Sequence, residues 1–142
     1  MPLDPSLLIF LGAILIVGVL ILVSISLGRV RKHVFDKENY QVDFLRIENS
    51  LIKSNEASYA MAVIEGDKLL DRALCEMGVQ GRTMGDRLKK VDKSKFSQIN
   101  AVWYAHKMRN QIAHESDFHI DYRQAEHALS TYKQALRDLG AI

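Results

Sequence analysis

Arg109, Asn110 and His114 are the residues of this chain whose types and spacing best suit chemistry, and the chemistry they suit is phosphodiester transfer. Histidine titrates near neutrality and can move a proton. Arginine can take two phosphate oxygens and stabilise charge that builds in a transition state. Asn110 and His114 are i and i+4, so on a helix they face together. Arg109 and His114 are five apart, about 140° on a continuous helix. Arg109 must therefore reach round the helix, the helix must loosen near Ala113, or a second copy of the chain must complete the site. His106 and Glu115 stand beside these residues as supporting groups.

Other chemistries fit less well. The histidines at 33, 106, 114, 119 and 127 form no HExxH, and the lone Cys75 excludes thiolate clusters. On a continuous helix His106 and His114 stand about 12 Å apart, too far for one zinc ion. No G-x-S-x-G is present, and Cys75 reads as a small apolar residue of an amphipathic helix. The site as read needs no metal and no cofactor. The bland alternative is equally concrete: Arg109 pairs with Glu115 or Asp117, Asn110 and His114 form a buried hydrogen-bonded pair, and His106 is structural.

The elements that must position these residues read as helices throughout. Phe96, Ile99 and Trp103 fall on one face, which His106, Asn110 and His114 continue. That inward stripe turns from apolar to polar, and burying unpaired polar groups costs about 1–3 kcal/mol each. Ser94 is the expected cap of this helix. A first helix is expected from Asn39 to Lys53, with Tyr40, Phe44, Ile47 and Leu51 inward. A second, capped by Ser54 or Asn55, runs to Met77; Ala57, Ala60, Met61, Ile64, Ala73, Leu74 and Met77 make its apolar face. Glu65, Asp67, Lys68, Asp71 and Arg72 decorate its other face, and Gly66 marks a kink or a close helix contact. Gly78 suits a left-handed cap. Thr83 opens a short helix from Met84 to Val91. Asp121 with Gln124 forms a capping box for the last helix, whose stripe is Ala125, Leu129, Tyr132, Leu136 and Leu139, and Gly140 stops it. Arg82, Arg87, Lys89, Lys90 and Lys93 make a basic stretch that could steer phosphate. No aromatic residue interleaves with these cations before Phe96, so the stretch does not read as a base-stacking surface.

Composition divides the chain. Of 142 residues with net charge +2, every Lys and Arg lies after Gly28. Leu7 to Leu27 is uncharged and apolar, long enough at about 1.5 Å per residue for a hydrocarbon core of about 30 Å. Asp4 precedes it in place of a basic start, and Ser24-Ile25-Ser26 is a poor cleavage site, so it does not read as a signal peptide. Arg29, Arg31, Lys32, His33 and Lys37 follow, which by the positive-inside rule puts the C-terminal part in the cytoplasm and the short N-terminus outside. The expected fold class is all-α: one N-terminal transmembrane helix, then a cytoplasmic antiparallel four-helix-type bundle with a short extra helix. The expected divisions are an anchor over 1–28, a basic juxtamembrane linker over 29–38 and a helical domain over 39–142. The lipid bilayer is the partner of residues 7–27, and the chain sits in the cell membrane as a single-pass protein.

Arg109-Asn110-x-x-x-His114, near the end of the third helix of a small all-α domain, resembles the HEPN superfamily. Its signature is an Arg, usually followed by a polar residue, then a His with four to six residues between. Here four lie between Arg109 and His114. Trp103-Tyr104-Ala105-His106-Lys107-Met108 before the motif and Ile112-Ala113-His114-Glu115 at its end strengthen the likeness, which extends over about Asn39 to Leu139. The resemblance implies a homodimer with two motifs facing one cleft, and in many members metal-independent RNA cleavage. His114 is then general base or acid, Arg109 holds the scissile phosphate, and Asn110 orients His114 or binds phosphate. The products are a 2′,3′-cyclic phosphate and a 5′-hydroxyl. Other members are non-catalytic, so the alternative is a membrane-anchored module that dimerises or recruits a cytoplasmic protein partner.

Overall fold

A computed structural model describes residues 5–27 and 34–142; the side chains of residues 7, 8 and 24–27 lie outside that description, as do the cations Arg29, Arg31, Lys32 and His33. Among the described residues all regular structure is helical. The chain divides into two units, residues 1–33 and 34–142.

The first unit contains one helix, α1 (Pro5–Leu27), of 23 residues, with a backbone about 34 Å long. Its described side chains from Ile9 to Val23 are all exposed. Among the described residues no helix is long and apolar enough to cross a membrane. The stretch Ile9–Val23 covers about 22 Å, against about 30 Å of hydrocarbon.

The second unit contains α2 (Lys37–Ser50), α3 (Glu56–Glu76), α4 (Met84–Lys90), α5 (Ile99–His114) and α6 (Tyr122–Leu139). Local capping chemistry sets most of the ends. Asn55, Thr83 and Asp121 cap α3, α4 and α6 through their side chains, and Asp121 with Gln124 completes the capping box. Gly78 and Gly140 take φ of 79° and 78°, a conformation that costs glycine nothing. Helix α2 starts two residues earlier than expected, because Asp36 accepts the Asn39 N–H at 3.2 Å. It also stops earlier, at Ser50, whose hydroxyl donates to the Ile47 carbonyl at 2.7 Å.

Ser94 does not cap α5. The Asp92 carboxylate takes its N–H at 3.0 Å and its hydroxyl at 2.7 Å, winding Lys93–Lys95 into a 3-10 turn. Phe96 is buried ahead of the helix rather than on it. Helix α5 begins at Ile99, and Gln98 at its N-cap makes no side-chain cap bond. The approach to α5 is fixed from α6 instead, where Asp138 takes the N–H and hydroxyl of Ser97, each at 2.7 Å.

Helix α3 is the centre of the unit: α2, α4, α5 and α6 all pack against it. Its wet face is therefore a narrow stripe, Ala57, Met61, Lys68, Arg72 and Cys75. Leu70, Ala62, Val63, Ala73 and Leu74 are fully buried, whereas Met61, expected inward, is exposed. Gly66 is a close-contact glycine. A Cβ built there would lie 2.7 Å from a ring carbon of Tyr132 and 3.0 Å from a methyl of Leu129. Tyr132 is fully buried and cannot swing aside.

Gly66→Ala should thus lose more to overpacking, about 1–3 kcal/mol, than it regains in helix propensity, about 1 kcal/mol. Urea unfolding should show a net loss near 1 kcal/mol. Asp138 supplies a pH test. Burial works to raise its pKa, but the hydrogen bonds from Ser97 and Gln134 outweigh it and hold the carboxyl below the usual range. A depressed folded value means the contribution is complete above the unfolded pKa near 4 and fades as pH falls through the folded value. Asp138→Ala should cost about 1 kcal/mol at pH 7, and the difference from the parent should shrink in acid below about pH 4.

Candidate functional site

Helix α5 runs without interruption through the motif to His114. It does not loosen near Ala113, so Arg109 and His114 leave the helix in different directions. Arg109, with His106, turns toward α3, and there both meet a residue expected on the solvent face. Asp67 is 3% exposed. Its Oδ1 accepts from His106 Nδ1 at 2.9 Å and from the Tyr132 hydroxyl at 3.2 Å. Its Oδ2 lies 3.5 Å from Arg109 Nε, an ion-pair distance that leaves Nε without a hydrogen bond in good geometry.

The remaining contacts close a ring. Arg109 Nη1 donates to Asn110 Oδ1 at 3.1 Å. That acceptor role leaves the Asn110 amide nitrogen facing His106 Nε2 at 3.2 Å. A carboxylate only accepts, so His106 Nδ1 carries a proton, and Nε2 offers its lone pair to Asn110 in the neutral imidazole. Asp67, His106, Asn110 and Arg109 thereby form one closed circuit. Burial, then the adjacent Asp67 carboxylate, push the Tyr132 hydroxyl far above its ordinary value, so Tyr132 remains a donor to Asp67.

The ring forms the floor of a groove of about 890 Å³ between α3, α4 and α5. Arg109, Asn110 and His114 all line it, although His114 lies outside the ring and is exposed. An Asn110–His114 pair is therefore not what occupies the helix end: Asn110 is engaged by His106 and Arg109. Glu115 is the exposed C-cap of α5, its N–H bonded to the Gln111 carbonyl at 2.8 Å. Arg109 pairs with Asp67 rather than with Glu115 or Asp117.

The basic stretch does not act as one patch. Lys89 lines the groove. Arg82 and Lys90 line a second hollow of about 490 Å³ that shares Asp86 and Lys89. Lys93 is exposed in the 3-10 turn. Arg87 is turned inward, its side chain 12% exposed, and bridges Asp71 at 2.8 Å. It joins α4 to α3 and is not available to a phosphate. Trp103 and Tyr104 line the same groove as Lys89, so cations and aromatics separated in the sequence meet in space. Cys75 is exposed rather than packed.

Compared with known proteins, the chain matches no family model, no curated protein and no solved structure.

Asp67 was the one ring member absent from the expected site. Gly66 beside it was the available signal, since a glycine required for close helix contact places its neighbour near the packed interface. Removing the hub strands a buried histidine, a tyrosine hydroxyl and an arginine. Asp67→Ala should therefore destabilise the chain by about 3–5 kcal/mol, while His114→Ala at the exposed end should stay within about 0.5 kcal/mol. Parallel urea unfolding curves test the contrast.

Proposed function

We propose that this chain is a membrane-tethered, HEPN-like endoribonuclease that cleaves RNA without a metal, through Arg109 and His114 in a cleft completed by a second copy. In this reading residues 34–142 form an antiparallel four-helix-type bundle with α4 as the short extra helix. The uncharged run Leu7–Leu27 anchors the bundle to the cell membrane, with the bundle on the cytoplasmic side.

One observation carries the proposal. Arg109, Asn110 and His114 line one open groove with Lys89 and Lys107, and Arg109 is aimed there by a buried carboxylate rather than left as a free surface cation. Support for the tether is the absence of charge from residue 5 to residue 28, the cations that follow, and the exposure of the apolar side chains Ile9–Val23.

The reaction uses few groups. One His114 takes the proton from the ribose 2′-hydroxyl as its oxygen attacks phosphorus. Charge gathers on the phosphoryl oxygens, beside the Arg109 guanidinium. The 5′-oxygen leaves with a proton from the second copy's histidine, giving the cyclic phosphate and a free 5′-hydroxyl. The separation of Arg109 from His114 round the helix is why a single copy suits this geometry less well than two.

A second reading draws on a different feature of the same site. Arg109 is already engaged by Asp67 and Asn110, which also suits a non-enzymatic, anchored module recruiting a protein partner. A stoichiometric partner retained unchanged by the His114→Ala chain, with no RNA cleavage by the parent, would favour it.

The deciding assay uses the full chain in lipid or detergent, single-stranded RNA and excess EDTA. The parent should cleave, and His114→Ala should cleave about 10²- to 10⁴-fold more slowly. Equal cleavage by both proteins, or none by either at high concentration, overturns the enzymatic reading.

A further inference from the structure

Beyond the reacting groups, the groove has a second end. Trp103, Lys107, Asn110 and His114 follow one another at spacings of four, three and four residues, and so run in a single file along α5. The file is about 16 Å long from Trp103 to His114. Tyr104 stands at the margin of its far end, 59% exposed. Trp103 is half-buried beneath the same wall, its ring edge-on to His106 with centroids 6.2 Å apart.

Charge in the groove favours a polyanion. Two of its three acids are committed, Asp67 to His106 and Arg109 and Asp71 to Arg87. Asp86 is the third, and Lys89 lies near enough to lower its pKa, after the larger effect of the Thr83 hydrogen bond. Lys107 and Lys89 are exposed on the walls. An exposed phenol ring beside exposed cations has little reason to be in a purely structural groove. Stacking on an aromatic ring needs an unpaired base, because bases within a duplex already stack on one another.

We propose that the Trp103–Tyr104 end of the groove is a base-stacking subsite for single-stranded RNA. An unpaired base lies on the Tyr104 ring, and Lys107 and Lys89 take the phosphates between that base and the reacting end at His114. The subsite selects strandedness, and its distance from His114 demands a substrate long enough to reach both ends. The inference rests on the ribonuclease reading for the bond that is cut, but binding is measurable without any cut.

Trp103 is the chain's only tryptophan, so its fluorescence reports on this end of the groove directly. The full chain in detergent is titrated with a single-stranded 2′-deoxy oligonucleotide, which lacks the attacking hydroxyl and cannot be cleaved by this route. The expected result is saturable quenching of Trp103 that a duplex of the same sequence fails to produce. Tyr104→Ala should weaken binding about 5- to 150-fold, and Tyr104→Phe, which keeps the ring, should restore it. Equal binding of duplex and single strand, or affinity unchanged in Tyr104→Ala, overturns the subsite. Tyr104-dependent binding without RNA cleavage by the parent would sink the ribonuclease reading and leave the subsite standing. Cleavage indifferent to Tyr104 would do the reverse.

Discussion

The buried carboxylate of Asp67 is the interaction on which the rest of the helical unit depends. An ionised carboxylate in an apolar interior is costly unless each oxygen is met by donors or opposite charge. Here a histidine N–H, a phenol hydroxyl and a guanidinium converge on it from two other helices. The requirement fixes more than one side chain. It sets α5 and α6 in register with α3, because His106, Arg109 and Tyr132 must all arrive at one point. Gly66 and Asp67 act together in this: the bare Cα admits the Tyr132 ring, and the next residue receives its hydroxyl.

Local chemistry was legible in the sequence, and chemistry that depends on the identity of distant neighbours was not. The caps at Asn55, Thr83 and Asp121 and the stops at Gly78 and Gly140 follow from residues within one turn of each helix end, and they stand where the pattern put them. The stripe of α6 holds through Ala125, Leu129, Tyr132 and Leu136 for the same reason, since that helix has one buried face. Helix α3 fails the same treatment because neighbours approach it from several directions. An amphipathic reading makes the wet face too broad, and Asp67, which borders the narrow exposed stripe, was placed on it among genuine surface charges. Ser94 misled differently. It sits where a cap is wanted, but Asp92 lies two residues away and claims its donors.

The site residues divide between two duties. Arg109, Asn110 and His106 were picked out for their chemistry, and each is also a structural member of the ring. His114 alone carries no such burden at its exposed position. Loss of Arg109 therefore confounds folding with function, whereas His114 separates them. The mixed groove also explains why sequence order concealed the aromatic wall. Lys89 and Trp103 are separated by a turn and the start of a helix, and only the return of the chain from α4 into α5 brings them opposite each other.

The ring also bears on how the molecule comes together. Asp67 lies 39 residues from His106 and 65 from Tyr132, so its partners arrive only after long loops have closed. Until they do, the carboxylate opposes the docking of α3, since water solvates it better than an empty interior. A partly assembled form with α6 detached has lost the tyrosine donor to the acid, and one with α5 detached has lost the carboxylate that directs the guanidinium. Assembly of the core and orientation of Arg109 are thus coupled, because the carboxylate that joins α3 to α5 and α6 is also the one that directs the guanidinium.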